Sequence, residues 1–237
     1  MKKFAVLVAV LGLVLIVFKT AYPSVTIRYR LTIAAELDGQ SRTGSGVIEV
    51  TYRKNVQILG ATAQMTIEVQ GDAGYVDLGR NDALVALLKE GPQSAWSGPD
   101  YVVPVLFGVT TAGFGPEAFS RIAAVTGRRE VPLELLPLMV RLMNTNDPKS
   151  AVLFTPPGGL APNQNLVLQG ATIEIVPSGI WPLNQAGVTG VPITRGIQAR
   201  LPWLERFTGY SGGQFDPDWT HPEKNLVGRD FSIGDSV

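Results

Sequence analysis

The chain has 237 residues, a length sufficient for one domain of ordinary size, and its formal net charge is zero. It contains no cysteine, and this excludes disulfide bonds, cysteine-ligated zinc, a cysteine nucleophile and a lipid-modified amino-terminal cysteine. The 26 glycines and 17 prolines favour turns and short elements, as in β-rich proteins. Without Lys2, Lys3 and Lys19 the chain is mildly acidic, which argues against nucleic acid as a partner.

The amino-terminal segment is apolar without interruption over residues 4–18 and follows Lys2 and Lys3. Basic residues before an apolar run are typical of a bacterial export signal. At about 1.5 Å per residue the run spans about 22 Å, which is shorter than the hydrocarbon layer of about 30 Å. It can still cross a bilayer when the flanking lysines and Tyr22 extend to the two interfaces. We therefore predict that the segment places the rest of the chain outside the cytosol.

The alternatives for this segment are an uncleaved anchor and a cleaved signal peptide. Cleavage after Ala21 would place Lys19 at a position that requires a small residue. Two lysines before the run and one after it favour an amino terminus inside the cell. We predict a single-pass transmembrane helix, residues 1–22, in the bacterial inner membrane with the body in the periplasm. Secretion to the periplasm after cleavage is the alternative.

Hydrophobic alternation predicts antiparallel strands in the first part of the body. Apolar and polar residues alternate over residues 27–37, and a period of two is typical of a half-buried strand. A second alternating run at residues 48–52 follows the turn-forming stretch 38–46, which predicts a hairpin with a long connection. Residues 65–70 and 75–78 are predicted as the third and fourth strands. The four segments indicate an antiparallel meander with one solvent-exposed face.

Two short helices are predicted from capping residues and helix-stopping residues. Asn81 or Asp82 can cap a helix that extends to Lys89, where glycine and proline follow. A second helix over residues 116–126 begins with proline at the first helical position and ends at Gly127.

Further strands are predicted in the second half of the body. The candidate segments are residues 102–107, 133–143, 152–155, 167–176 and 191–200. The second of these contains Pro137, so we place it on the edge of a sheet. We predict an α+β fold with a mostly antiparallel β body over residues 23–208 and one or two short helices. Residues 209–237 are rich in glycine, aspartate and proline, which predicts a loop or tail.

One pattern in this tail imitates a hydrolase. Residues 209–213 match G-x-S-x-G, and Asp216 and His221 follow Ser211 in the order of an α/β-hydrolase triad. A nucleophile elbow must lie between a buried strand and a helix, and residues 204–207 do not form such a strand. Serine and histidine on one glycine-rich loop also lack the rigid scaffold that catalysis requires. We interpret the pattern as a loop, and a hydrolase is the alternative.

The same loop contains oxygen and nitrogen ligands for a metal ion, namely Asp216, Asp218, His221 and Glu223. Their spacing does not match a 12-residue calcium loop. A G-x-G-x-x-A pattern begins at Gly113, but the antiparallel first half of the body contradicts a dinucleotide-binding fold. We therefore predict no cofactor and no metal, with a metal-dependent enzyme as an alternative.

An apolar segment with an aromatic residue, Leu201, Trp203 and Leu204, is a candidate interaction site. Exposed aromatic side chains dominate interface hot spots and can contact a protein partner or the bilayer surface. The alternative is that these side chains close one end of the core.

Several short stretches resemble an uncharacterised family of short proteobacterial proteins with an amino-terminal hydrophobic segment. These stretches are RYRLT at 28–32, TGSGVIEV at 43–50, VDLG at 76–79, NDPKS at 146–150, GI at 196–197 and LPWL at 201–204. The resemblance implies a shared fold and an exported topology, and it implies no activity and no site residue.

The sequence as a whole predicts a membrane-anchored extracytoplasmic protein that contacts the membrane through residues 4–18. It carries no catalytic constellation with the required context, so we expect a non-catalytic interaction or envelope-structure module with a protein partner of unknown identity. A hydrolase or metal-dependent enzyme that uses the carboxyl-terminal loop is the alternative. A solute-binding protein would require two lobes around a cleft, and the pattern predicts one lobe.

Overall fold

The computed structural model of the protein describes residues 4, 10–13, 17–18, 20–56, 65–91, 98–109, 115–159, 163–180, 183–184, 187–207 and 226–234. The described residues of the amino-terminal segment are helical as far as Ala21. Over the ranges just given, no helix combines the length and the apolar character needed to cross a membrane.

The described residues form ten strands. In chain order these are β1 (Ser24–Leu37), β2 (Gln40–Lys54), β3 (Met65–Asp72), β4 (Gly74–Gly79), β5 (Asp82–Ala86), β6 (Arg128–Glu130), β7 (Met139–Leu142), β8 (Ala151–Phe154), β9 (Leu166–Val176) and β10 (Ser232–Ile233). A six-stranded sheet has the order β10-β3-β2-β1-β9-β6, and a four-stranded sheet has the order β4-β5-β7-β8. All pairings are antiparallel, so the predicted α+β class with mostly antiparallel strands is confirmed.

Short helices connect the strands. The α-helices are α1 (Val102–Leu106), α2 (Pro116–Ala123) and α3 (Ile197–Arg200). Short 3-10 helices lie at Leu133–Leu135, Pro148–Ser150, Pro202–Phe207 and Gly228–Asp230.

The central strand β1 shows the predicted alternation. Every second side chain from Ile27 to Ala35 is at most 5% exposed, and these side chains form part of the main core. Residues at the alternate positions are mostly half-exposed on the other face. β1 pairs with β2 along its whole length and with β9 from Arg28 onwards. The prediction of a half-buried strand over residues 27–37 is confirmed.

The connection between β1 and β2 is shorter than predicted. Only Asp38 and Gly39 lie between the strands, and both have positive φ, 51° and 78°. Aspartate and glycine tolerate this conformation, which fits the twist of a tight hairpin. Residues 40–46 belong to β2 instead of a long turn. The glycines in this stretch indicated a turn, but they are required by packing between the sheets.

The two sheets approach closely where β2 crosses β4. A Cβ atom on Gly44 would overlap the carbonyl oxygen of Tyr75, and one on Gly46 would lie 3.4 Å from the Cα atom of Gly74; Tyr75 and Gly74 both belong to β4. Ala73 alone separates β3 from β4, and the chain passes there from one sheet to the other. The predicted fourth strand therefore exists, but it does not continue the meander of the first three.

Two segments have the opposite secondary structure to the prediction. The predicted helix over residues 82–89 begins instead with β5, whose residues Ala83–Ala86 are all buried. A strand buried on both faces has no alternation, so its apolar run resembles a helix. The predicted strand over residues 102–107 is α1, in which Pro104 lies within the first turn, where its missing N–H is tolerated.

The predictions for the second half of the body differ in outcome. Strands at 152–155 and 167–176 and the helix from Pro116 are confirmed as β8, β9 and α2. The strand predicted over residues 133–143 exists only as β7, Met139–Leu142, which begins after Pro137. Its predicted edge position is wrong, because β7 pairs on both sides with β5 and β8. The predicted strand over residues 191–200 is a loop followed by α3.

Part of the predicted tail belongs to the folded body. Leu226 and Phe231 are fully buried, and β10 pairs with the end of β3. The few apolar residues of this region are thus used in the core, which the overall composition of the segment obscured. Residues 208–225 and 235–237 lie outside the described residues.

The approach of the sheets predicts that Gly44→Ala lowers the free energy of unfolding by about 1–3 kcal/mol, because overpacking forces backbone to move. Gly170→Ala is the matched control. Gly170 also lies on a neighbour of β1 and has open space at its Cβ position, so we expect a change within about 0.5 kcal/mol. Chemical denaturation followed by circular dichroism measures both variants. Equal stability of the two variants would contradict the packing described above.

Candidate functional site

The residues of the predicted triad and metal site, Ser211, Asp216, Asp218, His221 and Glu223, lie outside the described residues. Across the described part of the chain, no group of three or more histidine, aspartate or glutamate side chains could hold a metal ion. The structure therefore leaves the tail hypothesis as a prediction.

The predicted interaction residues Leu201, Trp203 and Leu204 are buried in the core. The indole Nε1 of Trp203 donates a hydrogen bond of 2.8 Å to the carbonyl oxygen of Thr145. Its ring meets Phe231 edge to face with centroids 5.5 Å apart. These side chains thus close one end of the core and join the carboxyl-terminal segment to the body.

This position predicts that Trp203→Ala destabilises the protein by about 3–5 kcal/mol through the cavity that it creates. Trp203→Phe keeps most of the volume and loses the bond to Thr145, so a smaller loss is expected. Thermal unfolding of both variants measures the difference. An unchanged melting temperature in Trp203→Ala would instead support an interaction role.

A cleft of about 730 Å³ lies between β3, the turn before α1 and the carboxyl-terminal segment. We call it the β3 cleft. Its lining residues are Ile67, Glu68, Val69, Gln70, Leu88, Lys89, Glu90, Gly98, Pro99, Asp100, Arg229, Asp230, Ile233 and Gly234. Apolar and charged side chains therefore share its surface, as is usual for sites that bind polypeptides or small ligands.

Two buried tyrosines of the six-stranded sheet hold one wall of the β3 cleft. The hydroxyl of Tyr29 donates to the carbonyl oxygen of Pro99 at 3.0 Å, and the hydroxyl of Tyr52 donates to that of Asp100 at 2.5 Å. Burial raises the pKa of both tyrosines well above the ordinary value, and the charge of Asp100 adds to the effect. Both hydroxyls therefore stay protonated and keep donating.

The carboxyl-terminal segment forms the opposite wall through backbone and side-chain contacts of Asp230. The N–H of Leu88 donates to the carbonyl oxygen of Asp230 at 2.7 Å. The carboxylate accepts a bond of 3.0 Å from the N–H of Val227 and lies 3.6 Å from the Lys89 amine. Burial raises the pKa of Asp230, although these two contacts oppose the shift.

The β3 cleft has a net negative charge, because its lining contains four carboxylates and only two basic side chains, Lys89 and Arg229. Asp230 pairs with Lys89, and Glu68 pairs with Arg53, whereas Glu90 and Asp100 have no ion-pair partner among the residues described. Burial raises the pKa of Asp100, and the nearby charge of Glu90 adds to this shift. Such a site attracts a cationic group, because a positive charge would relieve the repulsion between the two carboxylates.

The backbone of β3 also faces the β3 cleft. β2 pairs with residues 65–70 on one side, whereas β10 pairs only with Gly71 and Asp72 on the other. Within the described ranges, the outer edge of β3 before Gly71 therefore has no strand partner. Every second residue of an edge strand directs its N–H and C=O outwards, where an extended peptide can pair with them.

A second concavity, of about 290 Å³, lies between β2 and α3. Its buried carboxylate, Asp72, accepts hydrogen bonds from the N–H of Ile197 at 2.9 Å and from the Ser232 hydroxyl at 2.7 Å. The Arg200 guanidinium lies over the Tyr75 ring at 4.7 Å. Because these groups satisfy one another, they link α3 and β10 to the sheets and leave little free chemistry.

Searches of protein-family models, curated proteins and solved structures find no match to this chain.

Sequence reasoning missed the β3 cleft for a simple reason. Glu90 and Asp100 belong to no motif, and only the fold brings them beside β3 and residues 229–234. The single local signal is that two acidic residues flank the glycine- and proline-containing stretch 91–99.

The raised pKa of Asp100 predicts a pH-dependent effect of Asp100→Asn on stability. The cost of burying the charge is absent below the unfolded pKa of about 3.9 and is present once pH exceeds the folded pKa. Asp100→Asn is thus expected to be more stable than the wild type at pH 7, and the difference should vanish at about pH 3. Melting temperatures across this range measure it, with Glu134→Gln as the control for losing an exposed carboxylate. A less stable Asp100→Asn at pH 7 contradicts the assigned environment.

Proposed function

We propose that the chain is a membrane-anchored periplasmic module that binds an extended segment of a protein partner in the β3 cleft. In this proposal the protein performs no chemistry of its own. The observation that carries it is the combination of an open β3 edge with the carboxylates of Glu90 and Asp100 in one cleft.

The anchor is supported by the apolar run over residues 4–18 and its lysine flanks. β1 begins at Ser24, only three residues after the last helical residue, Ala21. An anchor in the bilayer would therefore hold the body directly at the membrane surface, in the position of a receptor for a neighbouring protein.

The type of partner follows from the surface of the β3 cleft. An extended peptide would pair with the outer edge of β3, and its side chains would alternate between the cleft and solvent. Ile67 and Val69 offer apolar contacts, and Glu90 and Asp100 would attract a lysine or arginine of the peptide. Main-chain pairing would supply affinity, and charge would supply selectivity.

The second candidate function is a hydrolase or metal-dependent enzyme, favoured only by the G-x-S-x-G pattern around Ser211 and by the acidic residues and histidine that follow. Turnover of an ester or peptide that is lost in Ser211→Ala, or heat released on titration with calcium or zinc, would support it.

The topology is tested with alkaline phosphatase fused to the carboxyl terminus, because this enzyme requires disulfides that form outside the cytosol. We expect an active fusion that stays in the membrane fraction after alkaline washing. A fusion to a chain without residues 4–18 is the control and should be inactive. Activity in a soluble fraction would favour the cleaved alternative, and an inactive full-length fusion would contradict the periplasmic location.

Partner binding is tested with a photo-crosslinking residue at Gln70, which is exposed in the β3 cleft, in native membranes. We expect a discrete crosslinked product, and the same residue at the exposed Gln169 should not form it. Glu90→Lys reverses the charge of the cleft and should reduce the product about tenfold or more, whereas Glu134→Lys on the surface should not. Equal crosslinking from Gln70 and Gln169 would contradict a site in the β3 cleft.

A further inference from the structure

The loop between β9 and α3 exposes three large apolar side chains close together in sequence. Ile180, Leu183 and Val188 are 69%, 46% and 70% exposed. Single exposed apolar residues are normal on soluble proteins, but three on one short loop indicate a contact surface. We call these three residues and the other described residues of their loop, 177–180, 183–184 and 187–191, the apolar loop.

The apolar loop is closed at its base by backbone contacts. The N–H of Val191 donates to the carbonyl oxygen of Pro177 at 2.9 Å. A Cβ atom on Gly190 would overlap the backbone of Gly179, and one on Gly179 would overlap the carbonyl group of Thr189. Nearer the tip, the N–H of Val188 donates to the carbonyl oxygen of Leu183 at 3.0 Å. The described residues of the apolar loop are therefore held together by backbone contacts while Ile180, Leu183 and Val188 remain exposed.

Strand register places the apolar loop at the end of the sheet where β1 begins. Val176, the last residue of β9, pairs with Arg28, which lies four residues after Ser24. Arg28 donates to the carbonyl oxygen of Val191 at 2.7 Å and forms a buried ion pair with Glu49 at 2.6 Å. A buried, doubly bonded arginine fixes the base of the loop to β1 and β2.

The same end of the sheet receives the amino-terminal segment. The N–H of Lys54, the last residue of β2, donates to the carbonyl oxygen of Pro23 at 3.0 Å. The side chain of Lys54 has no ion-pair partner among the described residues, and a lysine at this height would face anionic lipid headgroups. The apolar loop, Lys54 and the start of β1 thus share one end of the molecule.

We propose that the apolar loop inserts Ile180, Leu183 and Val188 into the interfacial layer of the bilayer that holds the amino-terminal segment. This rests on the proposed membrane anchor, since the anchor brings this end of the sheet to the lipid. Apolar side chains on a projecting loop partition into the headgroup and acyl boundary, and the adjacent lysine adds attraction to anionic lipid. Two contacts with the membrane then fix the orientation of the body.

The absence of cysteine from the chain permits a direct test with single cysteine variants that carry an environment-sensitive fluorophore. The full-length protein is reconstituted into phosphatidylethanolamine and phosphatidylglycerol vesicles with or without spin-labelled lipid. Probes are placed at Val188 in the apolar loop, at Val10 in the amino-terminal segment, and at Val167. Val167 is the matched control, because it is an exposed valine of β9 at the opposite end of the sheet.

We expect spin-labelled lipid to lower the fluorescence about twofold at Val188 and Val10 and to leave Val167 unchanged. A second probe at Ile180 should be quenched like Val188, and adding Val188→Asp should weaken that quenching while circular dichroism stays unchanged. Quenching at Val10 with Val188 equal to Val167 would overturn the loop inference and leave the anchor proposal standing. Quenching at Val188 without Val10 would overturn the anchor alone, and quenching at neither would overturn both.

Discussion

Burial of one face of β1 against the second sheet is the interaction on which the rest of the structure depends. The strand pairs on both sides, with β2 and β9, and its inward side chains enter a core that the four-stranded sheet covers. This contact requires the sheets to approach closely, so Gly44 is needed where a larger residue would separate them. The apolar side chains of β1 can thus pack against the second sheet because a glycine in β2 leaves room for that sheet.

Buried polar groups then attach the irregular segments to this core. Tyr29 and Tyr52 bond to the turn at Pro99 and Asp100, and Asp72 bonds to α3 and β10. In each case the side chain of a sheet residue forms a hydrogen bond with a segment that is distant in sequence, so the buried polar group favours one arrangement of the chain. One wall of the β3 cleft is consequently fixed to the six-stranded sheet by protonated tyrosine hydroxyls, and the opposite wall is fixed by the contacts of Asp230.

The parts of the fold that follow from local pattern could be predicted, and those that depend on tertiary contacts could not. Alternation identified β1 because one of its faces is buried and the other is not. It failed for β5, in which Ala83–Ala86 are buried on both faces, and for α1, where valines favoured a strand. The glycines of β2 indicated a turn since sequence alone contains no information about an opposing sheet. The β3 cleft was not predictable because three distant segments assemble it.

The short connection between the helical segment and β1 has a consequence for the search for a partner. Met65, the first residue of β3, pairs with Lys54, whose N–H donates to the carbonyl oxygen of Pro23. The first residue of β3 that lines the β3 cleft, Ile67, therefore lies two residues along the strand from the level at which the chain leaves the helix. If the helix anchors the body in a bilayer, the β3 cleft would lie close to the lipid surface. Molecules confined to the same leaflet would meet it by two-dimensional diffusion, and this confinement raises their effective concentration over that of freely diffusing competitors.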